Sequence, residues 1–200
     1  DRTYNFFNPK FGLVYTVNPN HTVYASYAIA HKEPTRNNFE EMLRETKPVD
    51  PKAERLNDLE VGYKYQSSVF SAGANFYYMA YDNQFVPTGA QDANGEMVSR
   101  NIKDSYRMGV ELMAGLAPFK GFNWNINATW SKNRAKNVDV TTIDPITWAE
   151  STANVSTTHL AYSPDFILGN TFSYEYKGFT VSLQSKFVGE QYMTNSNFRS

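Results

Sequence analysis

Residues 122–131 read FNWNINATWS. Taken alternately, Phe122, Trp124, Ile126, Ala128 and Trp130 form one set, and Asn123, Asn125, Asn127, Thr129 and Ser131 the other. A β-strand sends successive side chains to opposite faces, so this stretch predicts a sheet with one oily face and one polar, uncharged face. A strand of a soluble sandwich shows the same alternation. Tryptophan toward both ends of the oily set, with amides and hydroxyls filling the other, favours a strand with lipid outside and water or a polar plug inside.

Working outward, the alternation recurs. Strands are expected near residues 6–17, 21–30, 57–66, 69–85, 101–116, 122–133, 165–176 and 179–188. Their oily sets include Phe11, Leu13 and Tyr15, then Leu59, Val61 and Tyr63, then Val110, Leu112 and Ala114, and later Phe179, Val181 and Leu183. Asn170 and Ser185 are the polar exceptions on that face. The charges Glu60, Lys64, Arg107, Glu111, Glu175 and Lys186 all fall on the opposite, lumenal set, where charge is tolerated. Short turns follow at Asn18-Pro19-Asn20, Gln66-Ser67-Ser68, Ala117 to Gly121 and Lys177-Gly178. Long loops are expected over residues 32–56, 86–100 and 132–164, the first with a short helix over 39–46.

Short and long connections therefore alternate, as in bacterial outer-membrane barrels with periplasmic turns and extracellular loops. The fold class expected is all-β: an antiparallel transmembrane barrel, about eight strands of a larger wall. Residues 1–200 are read as one partial barrel domain. A self-closed eight-stranded barrel would need its lumen filled by its own side chains. Gly12, Gly62, Gly73, Gly109 and Gly169 point inward and are expected to leave space. The first strand runs down into a short turn and the last runs up from one, so both chain ends are expected outside the cell, as in a fragment.

Composition agrees. The 200 residues carry a net charge of −1, which gives no reason to expect nucleic acid as partner. Aromatics reach 16%, mostly Tyr and Phe, and cysteine is absent. No run of about 18 apolar residues exists, which excludes a transmembrane helix but not a barrel. Asp1 opens no signal peptide, as in a mature protein or an internal piece.

No catalytic constellation stands out, and transport rather than turnover is expected, with no cofactor. His21, His31 and His159 lack metal-ligand spacing. Asp92, Asn94, Gly95 and Glu96 lack the downstream glutamate of a calcium loop. Tyr77, Tyr81 and Arg100 are the substrate-side candidates, because Tyr offers apolar area with a polar tip and Arg a fork for carboxylate or phosphate. Glu33 and Arg36 flank Pro34 beyond the second strand. They read either as ligand contacts or as a loop base in which Arg36 pairs with a nearby carboxylate. Glu60, Lys64, Arg107 and Glu111 are expected to meet a plug through breakable polar contacts.

Ordered blocks carry a resemblance: FNPKFGLVY, YASYAIAHKEPTRNNF, PKAERLNDLEVGYKY, NFYYMAYDNQFVPTG, NIKDSYRMGVEL and WNINATWSKNRAKN, spanning most of residues 6–137. Together they resemble the barrel of TonB-dependent outer-membrane receptors of the kind abundant in Bacteroidetes. That resemblance implies a 22-stranded barrel in the bacterial outer membrane, closed by an N-terminal plug domain absent from this chain. It implies uptake of a scarce nutrient, with an iron–siderophore or similar metal chelate or cofactor preferred, driven by the TonB energy-coupling protein acting on the plug. The alternatives are SusC-like oligosaccharide or peptide uptake beside a surface lipoprotein, a passive porin, and a structural part of a surface complex.

Overall fold

The computed structural model describes residues 2–43, 49–91, 97–143, 146, 147 and 149–195. Nine strands form one antiparallel sheet: β1 (Lys10–Asn18), β2 (His21–Lys32), β3 (Glu54–Gln66), β4 (Phe70–Gln91), β5 (Met97–Leu116), β6 (Phe122–Ile143), β7 (Glu150–His159), β8 (Phe166–Tyr176) and β9 (Phe179–Val188). One helix, α1 (Arg36–Leu43), joins β2 to β3. Neighbours run β1-β2-β3-β4-β5-β6-β8-β9, with β7 paired to β6 alone. Among the described residues β1 and β9 pair on one side only, so the sheet is an open segment of wall and not a self-closed barrel.

Register places the two faces as the alternation requires. Phe11 opposes Tyr27, Tyr27 opposes Leu59, and Leu59 opposes Tyr78. Further along, Leu112 opposes Ala128, and Ala128 opposes Leu168. The spanning strands give this face four to six apolar positions each, over about 7–11 residues, near the 9–11 that a tilted strand needs to span a bilayer. The oily face is open at Trp130, 73% exposed, and Leu112, 51%, whereas Asn75 and Ser131 on the polar face are 8% and 5%; nearer the turns, Asn123, Asn125 and Asn127 leave the polar face open too. A soluble core would reverse that ranking. The exceptions Asn170 and Ser185 face each other, joined at 3.3 Å, and the Trp124 indole donates to Asn170. These polar atoms thus satisfy one another within the apolar band.

The short turns gather at one end and are bonded to each other. Gln66 donates to Asn20 O and Ala117 to Val69 O, while Glu175 donates to Gly121 O. Lys177 and Gly178 both have positive φ (47° and 81°), the conformation a two-residue hairpin of matching twist demands.

Five expectations need correction. The stretch 132–164 is not a loop: β6 continues to Ile143 and returns as β7, making nine strands rather than eight. Likewise 86–100 is largely strand, since β4 reaches Gln91 and β5 begins at Met97. At 22 residues each, β4 and β6 are about twice the spanning length, so half of each projects beyond the apolar band. The helix begins at Arg36 rather than Phe39, because Thr35 caps it: Asn38 N–H donates to Thr35 Oγ1, and Thr35 N–H and hydroxyl donate to Asn38 Oδ1. The inward glycines, Gly12 excepted, do not leave space. Tyr24 lies over Gly62, Met113 over Gly73, Tyr77 over Gly109 and Asn127 over Gly169. The first strand also begins at Lys10, not near residue 6, although Ile29 still donates to Pro9 O.

The projecting hairpins have their own small core of Val86, Ile102, Ala135 and Leu160, with Val138 against it. Two left-handed asparagines mark where it starts. Asn83 (φ 55°) and Asn137 (φ 52°) each lie one residue beyond a partner of Asp104, so they share a rung. A left-handed residue interrupts the ladder and bends the strand, and Asn tolerates that region better than most residues.

Candidate functional site

The polar face of β3 to β6 is built in rungs. Asp58, Met79, Arg107 and Asn133 stand opposite one another across the four strands. On the turn-ward side lies Glu60–Tyr77–Gly109–Ser131, and on the outer side Leu56–Tyr81–Ser105–Ala135. Because β4 alternates, Tyr77, Met79 and Tyr81 share this face, and Arg107 stands beside them. Three expected residues, Tyr77, Tyr81 and Arg107, are thereby brought together.

Their surroundings fix them. Tyr77 crosses β5 over Gly109 toward Ser131. Tyr81 donates to Met79 Sδ at 3.8 Å and lies beside Arg107. Arg107 Nη1 donates to Ser163 Oγ at 2.8 Å, and Ser163 donates to Ala161 O at 3.0 Å. Ser163 belongs to the segment between β7 and β8, which folds back over the polar face. Leu160 N–H donates to Asn133 O, Ser131 Oγ to Pro164 O, and Asn195 joins Ala161 N–H to Pro87 O. Arg134 anchors its end with two bonds to Asp165, 2.9 and 2.6 Å. Arg134 holds the Asp165 carboxyl below the usual carboxylate range, against a smaller upward push from burial.

A second network lies one patch turn-ward. Tyr24 passes over Gly62 and donates to Asn75 Oδ1 at 3.0 Å, Asn75 donates to Glu111 at 3.4 Å, and Lys64 sits 5.3 Å above the Tyr24 ring. Glu60, Lys64, Arg107 and Glu111 thus all occupy the lumenal face, and Glu111 and Arg107 already hold partners within the wall.

The structure does not gather the remaining candidates. Arg100 opposes Val86 on the projecting hairpin, seven residues from Arg107 or about 23 Å along the strand. Glu33 is exposed, and Arg36 is bonded to Glu40 at 2.8 Å on the surface of α1, the loop-base arrangement. The calcium-like stretch Asp92 to Glu96 lies outside the described residues. The histidines stay apart: His21 meets Tyr63, His31 meets Asn8 and stacks on Phe6, and His159 stacks on Tyr192.

Sequence reasoning missed Asp58, Ser163 and Asn195. Asp58 Oδ1 is buried with no hydrogen-bond partner, an acceptor facing the same patch as Arg107. Its lumenal position was readable from alternation, but its lack of a partner was not. The chemistry on offer is one cation, one unsatisfied carboxylate oxygen and two phenols on a rigid wall. Such a surface has the groups to hold a polar solute or peptide segment, and among the described residues it pairs no nucleophile with a base.

All 200 residues match the model of the family described as "TonB dependent receptor-like, beta-barrel". The chain belongs to that family. No curated protein matches it in sequence. Among solved structures it is similar to the FrpB iron transporter from Neisseria meningitidis, at TM-score 0.58 and 13% identity over 90% of this chain and 26% of that one. The ferric-catecholate import receptor Fiu from E. coli K12 gives TM-score 0.61 and 20% identity, over 90% and 24%. The copper transporter OprC gives 0.61 and 16%, over 86% and 24%. These likenesses establish the fold. The chain spans about a quarter of each of those proteins.

Proposed function

We propose that this chain is part of the wall of a bacterial outer-membrane receptor that imports a scarce nutrient, an iron–siderophore or similar metal chelate, without converting it chemically. The observation that carries this reading is the exposed oily face of the sheet, backed by a polar face on which Asp58, Tyr77, Tyr81 and Arg107 stand half-buried together. An oxygen-rich anionic chelate suits one guanidinium flanked by two phenols. Arg100 and Glu33 would meet the solute earlier, on the outer loops, while Arg36 stays paired to Glu40.

Import against a gradient requires coupling. In this reading a plug domain encoded elsewhere in the protein fills the lumen, meets Glu60, Lys64 and Glu111, and is pulled by a TonB-type protein. Placement among the Bacteroidetes receptors rests on the ordered sequence blocks, and iron over copper on the catecholate and iron transporters among the similar structures. A surface lipoprotein belongs to the oligosaccharide alternative.

The test is uptake of labelled ferric chelates by cells carrying the full-length receptor. Uptake that stops when the proton gradient is collapsed, and that weakens in Arg107→Ala, supports the reading. Uptake indifferent to the gradient identifies a passive porin. Growth on glycans with no chelate uptake identifies the sugar alternative.

A further inference from the structure

Among the described residues, Asp58 Oδ1 on β3 is a buried carboxylate oxygen with no donor. An unpaired buried acceptor is costly and calls for an explanation. Its rung runs Lys10–Ala28–Asp58–Met79–Arg107–Asn133 across β1 to β6, so a cation stands two strands away on either side, about 10 Å. Arg107 is engaged elsewhere: its Nη1 donates to Ser163 Oγ at 2.8 Å and so holds the middle of the segment that folds back over the polar face. Beside Ser163, Tyr162 has φ 54°, a left-handed conformation uncommon for a bulky residue and kept only where the surroundings enforce it. The orphaned carboxylate and the left-handed tyrosine are two separate costs borne in one and the same state.

One movement relieves both. On their rung only Met79 separates Arg107 from Asp58, and Met79 is unbranched and adaptable, its sulfur accepting a long bond of 3.8 Å from Tyr81. An arginine extended past it meets an aspartate two strands away, and a carboxylate takes two parallel bonds from a guanidinium where a hydroxyl takes one. Lys10 stands as far off on the other side, but it is exposed on an edge strand of the described sheet and brings a point charge without the fork.

We infer that Arg107 is a latch with two seats, Ser163 in this structure and Asp58 in a second state, and that its move to Asp58 releases the 161–163 turn from the polar face. The move pairs the orphaned oxygen and lets Tyr162 leave the left-handed region, in exchange for the Ser163 bond. The ends of the segment stay tied, Leu160 to Asn133 and Asp165 to Arg134, so only its middle lifts and opens the wall beside Tyr81. The latch rests on the geometry of the wall and on nothing about the cargo.

The test is hydrogen exchange of the full-length receptor without cargo, followed by mass spectrometry on peptides covering residues 160–165. Heat-modifiable migration on gels confirms that each variant is a folded barrel. Asp58→Asn keeps the shape of the second seat without its charge and should slow exchange about fivefold, whereas Ser163→Ala removes the first seat and should speed it about fivefold. Asp58→Ala, which leaves no acceptor, should slow it at least as much, and Lys10→Gln should leave it unchanged. An aspartate that merely braces the wall has the opposite signature, because its loss only loosens what lies above. Exchange unchanged or faster in the Asp58 variants therefore overturns the proposal, as does exchange indifferent to Ser163→Ala. A change in Lys10→Gln as large as that in Asp58→Asn also overturns it, since Lys10 would then be the partner of Asp58.

Discussion

The Tyr24 ring on β2 lies directly over Gly62 on β3 and places its hydroxyl 3.0 Å from Asn75 on β4. A bare glycine lets one side chain reach across a whole strand. The same device recurs where Tyr77 crosses Gly109, but the two glycines differ in what a methyl group would strike. At Gly62 it meets the tip of the Tyr24 ring, which can swing away. At Gly109 it meets Trp130 O at 2.6 Å and Ser131 Cα at 3.0 Å, backbone that cannot move without breaking the ladder.

Gly62→Ala should therefore cost about one hydrogen bond, roughly 1 kcal/mol, with Tyr24 displaced. Gly109→Ala should cost more, about 1–3 kcal/mol from overpacking, and should shift β5 against β6. Refolding midpoints of the full-length barrel in urea would rank the two. Equal effects would mean that the wall yields at Gly109 as readily as the tyrosine does at Gly62.

The Arg134–Asp165 pair gives a pH signature. Its side chains are 15% and 38% exposed, so solvent screening leaves a contribution of about 1 kcal/mol. The folded-state pKa of Asp165 is depressed. Its stabilisation is complete above the unfolded-state value of about 3.9 and is lost as pH falls through the lower folded value. Asp165→Asn should thus be less stable than wild type at neutral pH and indistinguishable from it in stronger acid. A stability gap that persists unchanged into that acid range would show that the pair is not its source.

The spanning strands were legible because a lipid-facing set stays apolar unless its polar groups pair, as Asn170 and Ser185 do, so Trp124 to Trp130 announces itself in single-letter code. The projecting half of the molecule was not. Beyond Trp130 the alternation continues through Lys132, Arg134 and Lys136, but without lipid the oily set turns basic and reads as loop. Strand β7, ESTANVSTTH, has no oily set at all; its Thr and Val content was the one available signal. Similarly, Tyr77, Tyr81 and Arg107 share a face by parity alone. Ser163 reaches Arg107, and Asn195 ties Ala161 to Pro87, through chain reversal, which no local pattern encodes.

Two arginines allow the proposed binding surface to be tested. Arg36 pairs with Glu40 one helical turn away on an exposed surface, worth about 0.3–0.5 kcal/mol. Arg36→Ala should leave chelate uptake within error of wild type. Arg107 faces the lumen and anchors Ser163, so Arg107→Ala should raise the half-saturating chelate concentration severalfold. Arg107→Lys should restore charge but not the fork, and so only part of the affinity. The opposite ranking in a transport assay would move the binding surface from the lumenal rungs to the α1 loop.

Sidedness is the last expectation open to direct measurement. The turn at Ser68 closes β3 onto β4 at the bonded end of the sheet, while Ile146 sits at the tip of the β6–β7 hairpin, 86% exposed. A wall that carries half of β4 and β6 beyond its apolar band at one end, and only tight turns at the other, should place the projecting end outside the cell. This chain contains no cysteine, so Ile146→Cys and Ser68→Cys introduce unique thiols into it. In intact cells carrying the full-length receptor, a membrane-impermeant maleimide should label the Ile146 position and spare the Ser68 position. Lysing the cells should make both reactive. Labelling of Ser68 alone in intact cells would invert the sheet.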